Sequence, residues 1–291
     1  MQKTSLNLSA GIASVSVALI LVGLKLWALG ATSALSVAAS LADSALDLMM
    51  SLGGLMAIFY AARPADDDHA FGHTSVEDLA ALAQSVFIVI SGVVIGTGAV
   101  RRLLSDTPTA LAQEGRGIAV MVVSILLTVA LVLWQRRVAR MTGNKVVAAD
   151  SLHYMSDLMP SVGAIGALWI SRHFGVGQVD SVVALAAALM LIFGAIRIGK
   201  GAWDALMDRR ADPELIAAIG ELAGTWPGVH GFHDLKTRMA GSRVFVNIHI
   251  ELDGDQSLRD AHAIGASLRR KIIETWPQCD VIVHKDVAGE R

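Results

Sequence analysis

Six apolar runs, each long enough to cross a lipid bilayer, decide what this chain can fold into. They lie near residues 10–30, 36–61, 79–102, 117–135, 146–171 and 177–199. A spanning helix needs about 20 apolar residues, and inside lipid a helix satisfies all of its own backbone polar groups. The runs are rich in Ala, Val, Leu, Gly and Ser, residues that let helices pack closely in lipid. Charge follows the same division. Of the 50 Asp, Glu, Lys and Arg residues, 24 fall in the last 84 positions and 26 in the first 207. The chain is therefore read as a six-span membrane domain over 1–207 and a small water-exposed domain over 208–291.

An even number of spans puts both termini on one side. With that side cytoplasmic, the inner segments carry Lys3, Arg63, Arg136, Arg137, Arg140, Lys145, Arg197, Lys200, Arg209 and Arg210, and the outer loops carry Arg101, Arg102, Arg116 and Arg172. Ten against four favours cytoplasmic termini under the positive-inside rule.

After residue 208 the periodicity changes. Asp212-Pro213-Glu214 opens a helical stretch to about 225, with proline in the first turn. Val244, Val246, Ile248 and Ile250 alternate with Phe245, Asn247, His249 and Glu251, a strand pattern. Ala240-Gly241-Ser242 turns back to a strand near 231–239. Leu258, Ala261, Ile264, Leu268 and Ile272 have helical spacing, and 280–287 reads as a last strand. The order α-β-β-α-β makes a small two-layer α/β domain.

Several functions lose support. A single cysteine, Cys279, excludes a disulfide scaffold and a thiolate zinc or iron–sulfur site. A net charge of −2 gives no reason to expect nucleic-acid binding. There is no phosphate loop, no His-Glu-x-x-His and no Gly-x-Ser-x-Gly, so neither nucleotide-driven transport nor an enzyme is expected.

Ionisable side chains inside spans are costly and functional by default. The second span holds Asp43 and Asp47, and the fifth holds His153 and Asp157, each pair four apart on one helix face. Asp150 sits one turn before His153, closer to the membrane edge. Three carboxylates and an imidazole supply four ligands for a small divalent cation. A hydrogen-bonded structural cluster or a metal-free proton relay is the alternative. Counted from the inner ends, the second-span pair lies about two turns deeper than the fifth-span pair. Either the second helix runs past the bilayer or its boundary is shifted. Lys25, near the end of its span, is read as snorkelling to the interface.

Two further clusters stand out. Between the second and third spans, Asp66, His69 and His73 at spacings of three and four can meet in a tight loop that bends at Gly72; the plainer reading is an acidic polar loop. In the tail, His284 and Asp286 are two apart on a strand and face one side. His249 points away from the Val/Ile face of its strand, and His233 lies on a paired strand, so these four can converge. His262 falls on or near the apolar side of its helix, as readily packed as a ligand. One imidazole among carboxylates suits zinc, cadmium, cobalt or iron(II) better than calcium or magnesium.

The sequence resembles the cation diffusion facilitator family over nearly its whole length. The pieces that carry the likeness are Leu41-Ala-Asp43-Ser-Ala-Leu-Asp47, the Pro64–Glu77 loop, Ala149-Asp150-Ser-Leu-His153-Tyr-Met-Ser-Asp157, Gly231-Phe-His233-Asp-Leu and Val281-Ile-Val-His284-Lys-Asp286. The resemblance implies a homodimeric antiporter in a bacterial inner membrane, exchanging cytoplasmic divalent metal for protons. Zn2+ is the favoured cargo, with Fe2+ and Cd2+ next. By that likeness Asp43, Asp47, His153 and Asp157 form the transport site, and Asp66, His69 and His73 a loop site. His233, His249, His262, His284 and Asp286 bind metal in a ferredoxin-like cytoplasmic domain that also dimerises. One departure concerns Ser75: a member of the family has lysine there, paired across subunits with an aspartate at the position of Asp208. Serine cannot make that pair. Two rival readings are a passive cation channel, whose flux ignores the proton gradient, and a membrane-bound metal sensor with no flux.

Overall fold

The computed structural model describes residues 2–32, 35–104, 115–158 and 179–290. Within its helices, the side chains of 2, 28–32, 35–40, 42, 43, 102, 115–121, 179–181, 183 and 184 lie outside the description. The chain forms two compact units, Met1–Ala202 and Trp203–Arg291.

The first unit is helical. Its elements are α1 (Gln2–Thr32), α2 (Leu35–Ala61), α3 (Ser75–Leu104), α4 (Gly115–Thr142), α5 (residues 145–158) and α6 (Val179–Leu206), the last running on into the second unit. Among the described residues, five helices are long and apolar enough to cross a membrane. The expected fifth span is described only from 145 to 158, and its remainder to 171 lies outside the described residues. The helices outrun the apolar runs that predict them. The fourth run ends near 135, but α4 continues to Thr142 through Arg136, Arg137 and Arg140. Hydropathy marks where lipid touches a helix, whereas backbone hydrogen bonding carries the helix onward into water. At 27 residues α2 is about 40 Å long, against about 30 Å of hydrocarbon. α2 is thus long enough to run past the bilayer.

Small residues set the helix approaches. A Cβ on Gly11 of α1 would stand 2.8 Å from Leu55 Cδ1 of α2, and one on Gly92 of α3 would stand 2.7 Å from Ile192 Cγ1 of α6. At Gly199 of α6 a Cβ would collide with Ser85 Oγ of α3. In lipid, where burial alone gives helices little reason to associate, such contact carries the packing.

The start of α5 is pinned. Gly143, at φ +74°, follows the end of α4, and Asn144 Oδ1 caps the next helix by accepting from Val147 N (3.0 Å). Asn144 Nδ2 donates to Glu77 Oε1 (2.8 Å), and Lys145 Nζ donates to buried Asp78 Oδ1 (2.7 Å). Lys145 also reaches Gly201 O on α6 at 3.1 Å. α5, which carries two candidate ligands, is thereby fixed against α3 and α6.

The second unit has the order α7 (Pro213–Gly224), β1 (Gly231–Ala240), β2 (Arg243–Leu252), α8 (Leu258–Thr275), β3 (Cys279–Val287), the α-β-β-α-β succession read from the periodicity. Asp212 caps α7 through Glu214 N (2.9 Å), ahead of the proline. Ser257 caps α8. The sheet order is β1-β2-β3, with β1 antiparallel and β3 parallel to β2. A parallel pair needs a crossover, and α8 supplies it. Val246, Ile248 and Ile250 of β2 pack into one core with Ile219, Leu268 and Ile272 of the helices. The opposite face carries His249, His284 and Asn247 together with Phe245 and Ile282.

Candidate metal sites

Among the described residues, three groups of side chains bring potential ligand atoms within 4.8 Å of one another: Asp47, His153 and Asp157; Asp66, His69 and His73; and His233, His249 and Asp286.

The first lies in the membrane unit. Asp47 projects from α2 and His153 and Asp157 from α5, one turn apart. His153 Nε2 stands 3.2 Å from Asp47 Oδ1, and both side chains are largely buried. Neither ring nitrogen of His153 makes a hydrogen bond of good geometry. The ring is held edge-on to Phe87 at 5.6 Å. Asp43 falls one turn before Asp47 on α2, but its side chain lies outside the described residues.

Asp150 does not join this cluster. Its Oδ2 accepts from Ser14 Oγ of α1 and Gln135 Nε2 of α4, both at 2.6 Å. Ser14 Oγ is 2.9 Å from Ser51 Oγ of α2, which is 2.8 Å from Tyr154 OH. The result is a buried polar network tying α1, α2 and α4 to α5, one turn from the candidate ligand His153. Lys25 also departs from expectation. It does not reach outward: its Nζ donates to the buried Ser44 Oγ at 2.6 Å. Its position near a span end suggests snorkelling, but the helix face it occupies turns it inward.

The loop group is compact. Asp66 Oδ1 accepts from the backbone N–H of His69 (2.7 Å) and lies 3.2 Å from His69 Nδ1, while its Oδ2 lies 3.2 Å from His73 Nε2. The His69 backbone N–H, foremost, holds the Asp66 carboxyl below the usual carboxylate range. Gly72, at φ +84°, makes the bend between the histidines. His73 is buried beneath Tyr60, edge-on at 4.6 Å, while Asp66 and His69 are exposed.

The tail group is built by sheet register. His233 pairs with His249 across β1 and β2, and His249 with His284 across β2 and β3. One histidine from each strand thus forms a row on the face away from the core. Asp286, two residues beyond His284, closes the group: it lies 2.9 Å from His249 Nδ1, 3.2 Å from His233 Nε2 and 3.1 Å from His284 Nε2. The hydrogen bond with His249 leads in holding the Asp286 carboxyl below its ordinary value. His284 meets the other oxygen, Oδ1, and stands outside the group whose ligand atoms lie within 4.8 Å of one another, so the set brought together is two imidazoles and a carboxylate, donors that suit zinc. Glu251, which pairs with Asp286 in the β2–β3 register and lies 3.9 Å from His233 Nε2, borders the group; the register that brings it there had no signal in the sequence pattern. His262 stands apart. It is exposed on α8, whose core side is Gly265, Leu268 and Ile272, so the packed-histidine reading is corrected: one residue past Ala261, it turns to water.

Residues 11–207 match the family described as "Cation efflux transmembrane domain", and residues 211–287 match "Cation efflux protein, cytoplasmic domain". The chain is 37% identical over 280 residues to the "Cation-efflux pump FieF" of Citrobacter koseri, covering 95% of this chain and 91% of that protein. Over 277 residues it is 37% identical to the protein of the same name from Escherichia coli (strain K12 / DH10B), with the same coverage. Part of the chain is also similar to the solved "Metal-bound C-terminal domain of CzcD transporter from Thermotoga maritima", at 27% identity and TM-score 0.26, covering 26% of this chain and 91% of that one.

Proposed function

The chain belongs to the cation efflux family, the cation diffusion facilitators, and we propose that it exports divalent transition-metal cations from the cytoplasm in exchange for protons. Zinc is the first candidate, with iron(II) and cadmium next. The observation that carries the reading is the meeting of Asp47 with His153 at 3.2 Å, beside Asp157, on two helices of the membrane unit. Asp43, one turn away on α2, completes a four-ligand set of three carboxylates and one imidazole.

The chemistry of exchange follows from the ligands. Carboxylate and imidazole bind a cation only after shedding their protons, so metal and protons compete for one set of atoms. A helix pair that opens alternately to each side then couples outward metal to inward protons. Asp66, His69 and His73 form a loop site. His233, His249, His284 and Asp286, with His262 on α8, serve a metal-binding tail through which two copies dimerise. Both termini face the cytoplasm of a bacterial inner membrane, as the distribution of basic residues supports.

The test is zinc uptake into proteoliposomes. The Asp157→Ala variant is expected to lose at least about 100-fold in rate, since one of four converging ligands is gone. Wild-type rates in that variant would remove the transport site from α5.

A further inference from the structure

Lys25 has no place in the ligand sets above, yet its surroundings tie it to the membrane site. It continues the buried stripe of α1 formed by Ala10, Ser14, Ala18 and Leu21, which are at most 5% exposed. Spacings of four, four, three and four keep these residues on one helix face. Leu26 and Trp27, the next positions, are exposed on another face. The ammonium donates to Ser44 Oγ at 2.6 Å. Ser44 is buried, follows Asp43 and precedes Asp47 by three residues on α2. The ammonium is also near enough to interact with the charge of Asp157 on α5. A lysine that points inward in a membrane helix needs a reason, because the same side chain reaches water easily from near a helix end.

Charge counting gives the reason. Resting on the transport reading above, Asp43, Asp47 and Asp157 contribute three negative charges and neutral His153 none. A divalent cation leaves that set at minus one. We propose that Lys25 is the fixed counter-cation of the transport site, which brings the metal-loaded site to neutrality and sets how tightly it holds its cargo. A neutral complex is the one least penalised by low-dielectric surroundings. The same positive charge repels the bound cation and speeds its release. Lys25 is thus a tuning residue that touches no metal.

The experiment compares wild type with Lys25→Met, Lys25→Gln and Lys25→Arg in zinc-loaded proteoliposome assays at about pH 8, where protons compete least. Lys25→Gln retains a hydrogen-bond donor for Ser44 without the charge, which separates charge from packing and covers a misfolded methionine variant. Both neutral variants should show KM for zinc lowered by about tenfold or more, with maximal rate lowered as release slows. Lys25→Arg should stay near wild type. Loss of a merely structural contact would instead leave KM unchanged or raise it. The proposal is overturned if the neutral variants match wild type, if they raise KM, or if arginine behaves as they do. Asp157→Ala run alongside separates the two readings: retained flux there defeats the transport site itself, whereas its loss with Lys25 indifferent defeats only the counter-cation.

Discussion

Asp150 and His153 stand one turn apart on α5 and have different partners. His153 faces Asp47 with both ring nitrogens outside any well-formed hydrogen bond, while Asp150 receives Ser14 and Gln135 at 2.6 Å each. Removing the Asp150 carboxylate strands the buried Gln135 Nε2 donor, at about 1–3 kcal/mol when left unsatisfied, while Ser14 keeps Ser51 Oγ at 2.9 Å. Asp150→Ala should therefore lower the thermal unfolding temperature of the purified protein, and Asp150→Asn, which keeps an acceptor oxygen, should lower it less. Equal stability of both variants with wild type would remove the network from the account. Spacing grouped Asp43, Asp47, His153 and Asp157 as candidate ligands and set Asp150 nearer the membrane edge, but it could not say what Asp150 meets instead, because helical periodicity carries no information about which neighbouring helix a carboxylate faces. Lys25 was hidden for the same reason. In the tail, Asp286 permits a pH test. Its folded carboxyl lies below its ordinary value of 3.8, chiefly through the hydrogen bond with His249. The stabilisation it gives is present above 3.8 and fades as pH falls through the lower folded value. Metal-free Asp286→Asn should unfold at lower urea than wild type at about pH 7, with the gap closing below about pH 3. A gap that persists in acid would contradict that source of stability.

The elements of the tail were legible because each signal was local. Alternation in β2, the Asp212-Pro213-Glu214 helix start and helical spacing from Leu258 to Ile272 all act within a few residues. Register was not legible. The alignment of His233, His249 and His284 depends on which residues pair across strands, and β1 carries an irregularity between His233 and Lys236 that no local pattern announces. Ile248, fully buried at the centre of β2, belongs to the core behind this row. Ile248→Ala should cost about 2–5 kcal/mol. Hydrogen exchange of the β2 amides in the intact chain would report it as acceleration on the order of a hundredfold or more, since core strands exchange through unfolding of the whole unit. Unchanged exchange would mean that the core does not support the histidine row. In the membrane unit, helix existence was plain from hydropathy, but helix ends were not. α4 passes seven residues beyond its apolar run.

The two units of the chain are organised by different solvents. The tail buries an aliphatic core and sets His233, His249 and His284 on the other face of its sheet, whereas the membrane unit buries Ser14, Ser51, Asp150 and His153 between helices and gives Leu, Val and Phe to lipid. An acidic group survives in the second setting only with partners or cargo. That contrast makes the α2–α5 cluster the centre of the functional account and the tail cluster an accessory to it. The most direct measurement is zinc flux into proteoliposomes with and without an imposed pH gradient, with Asp157→Ala run beside wild type. Proton-coupled export through this cluster predicts flux that rises with an opposing proton gradient and disappears in the variant. Flux that ignores the gradient, or that survives loss of Asp157, would contradict it.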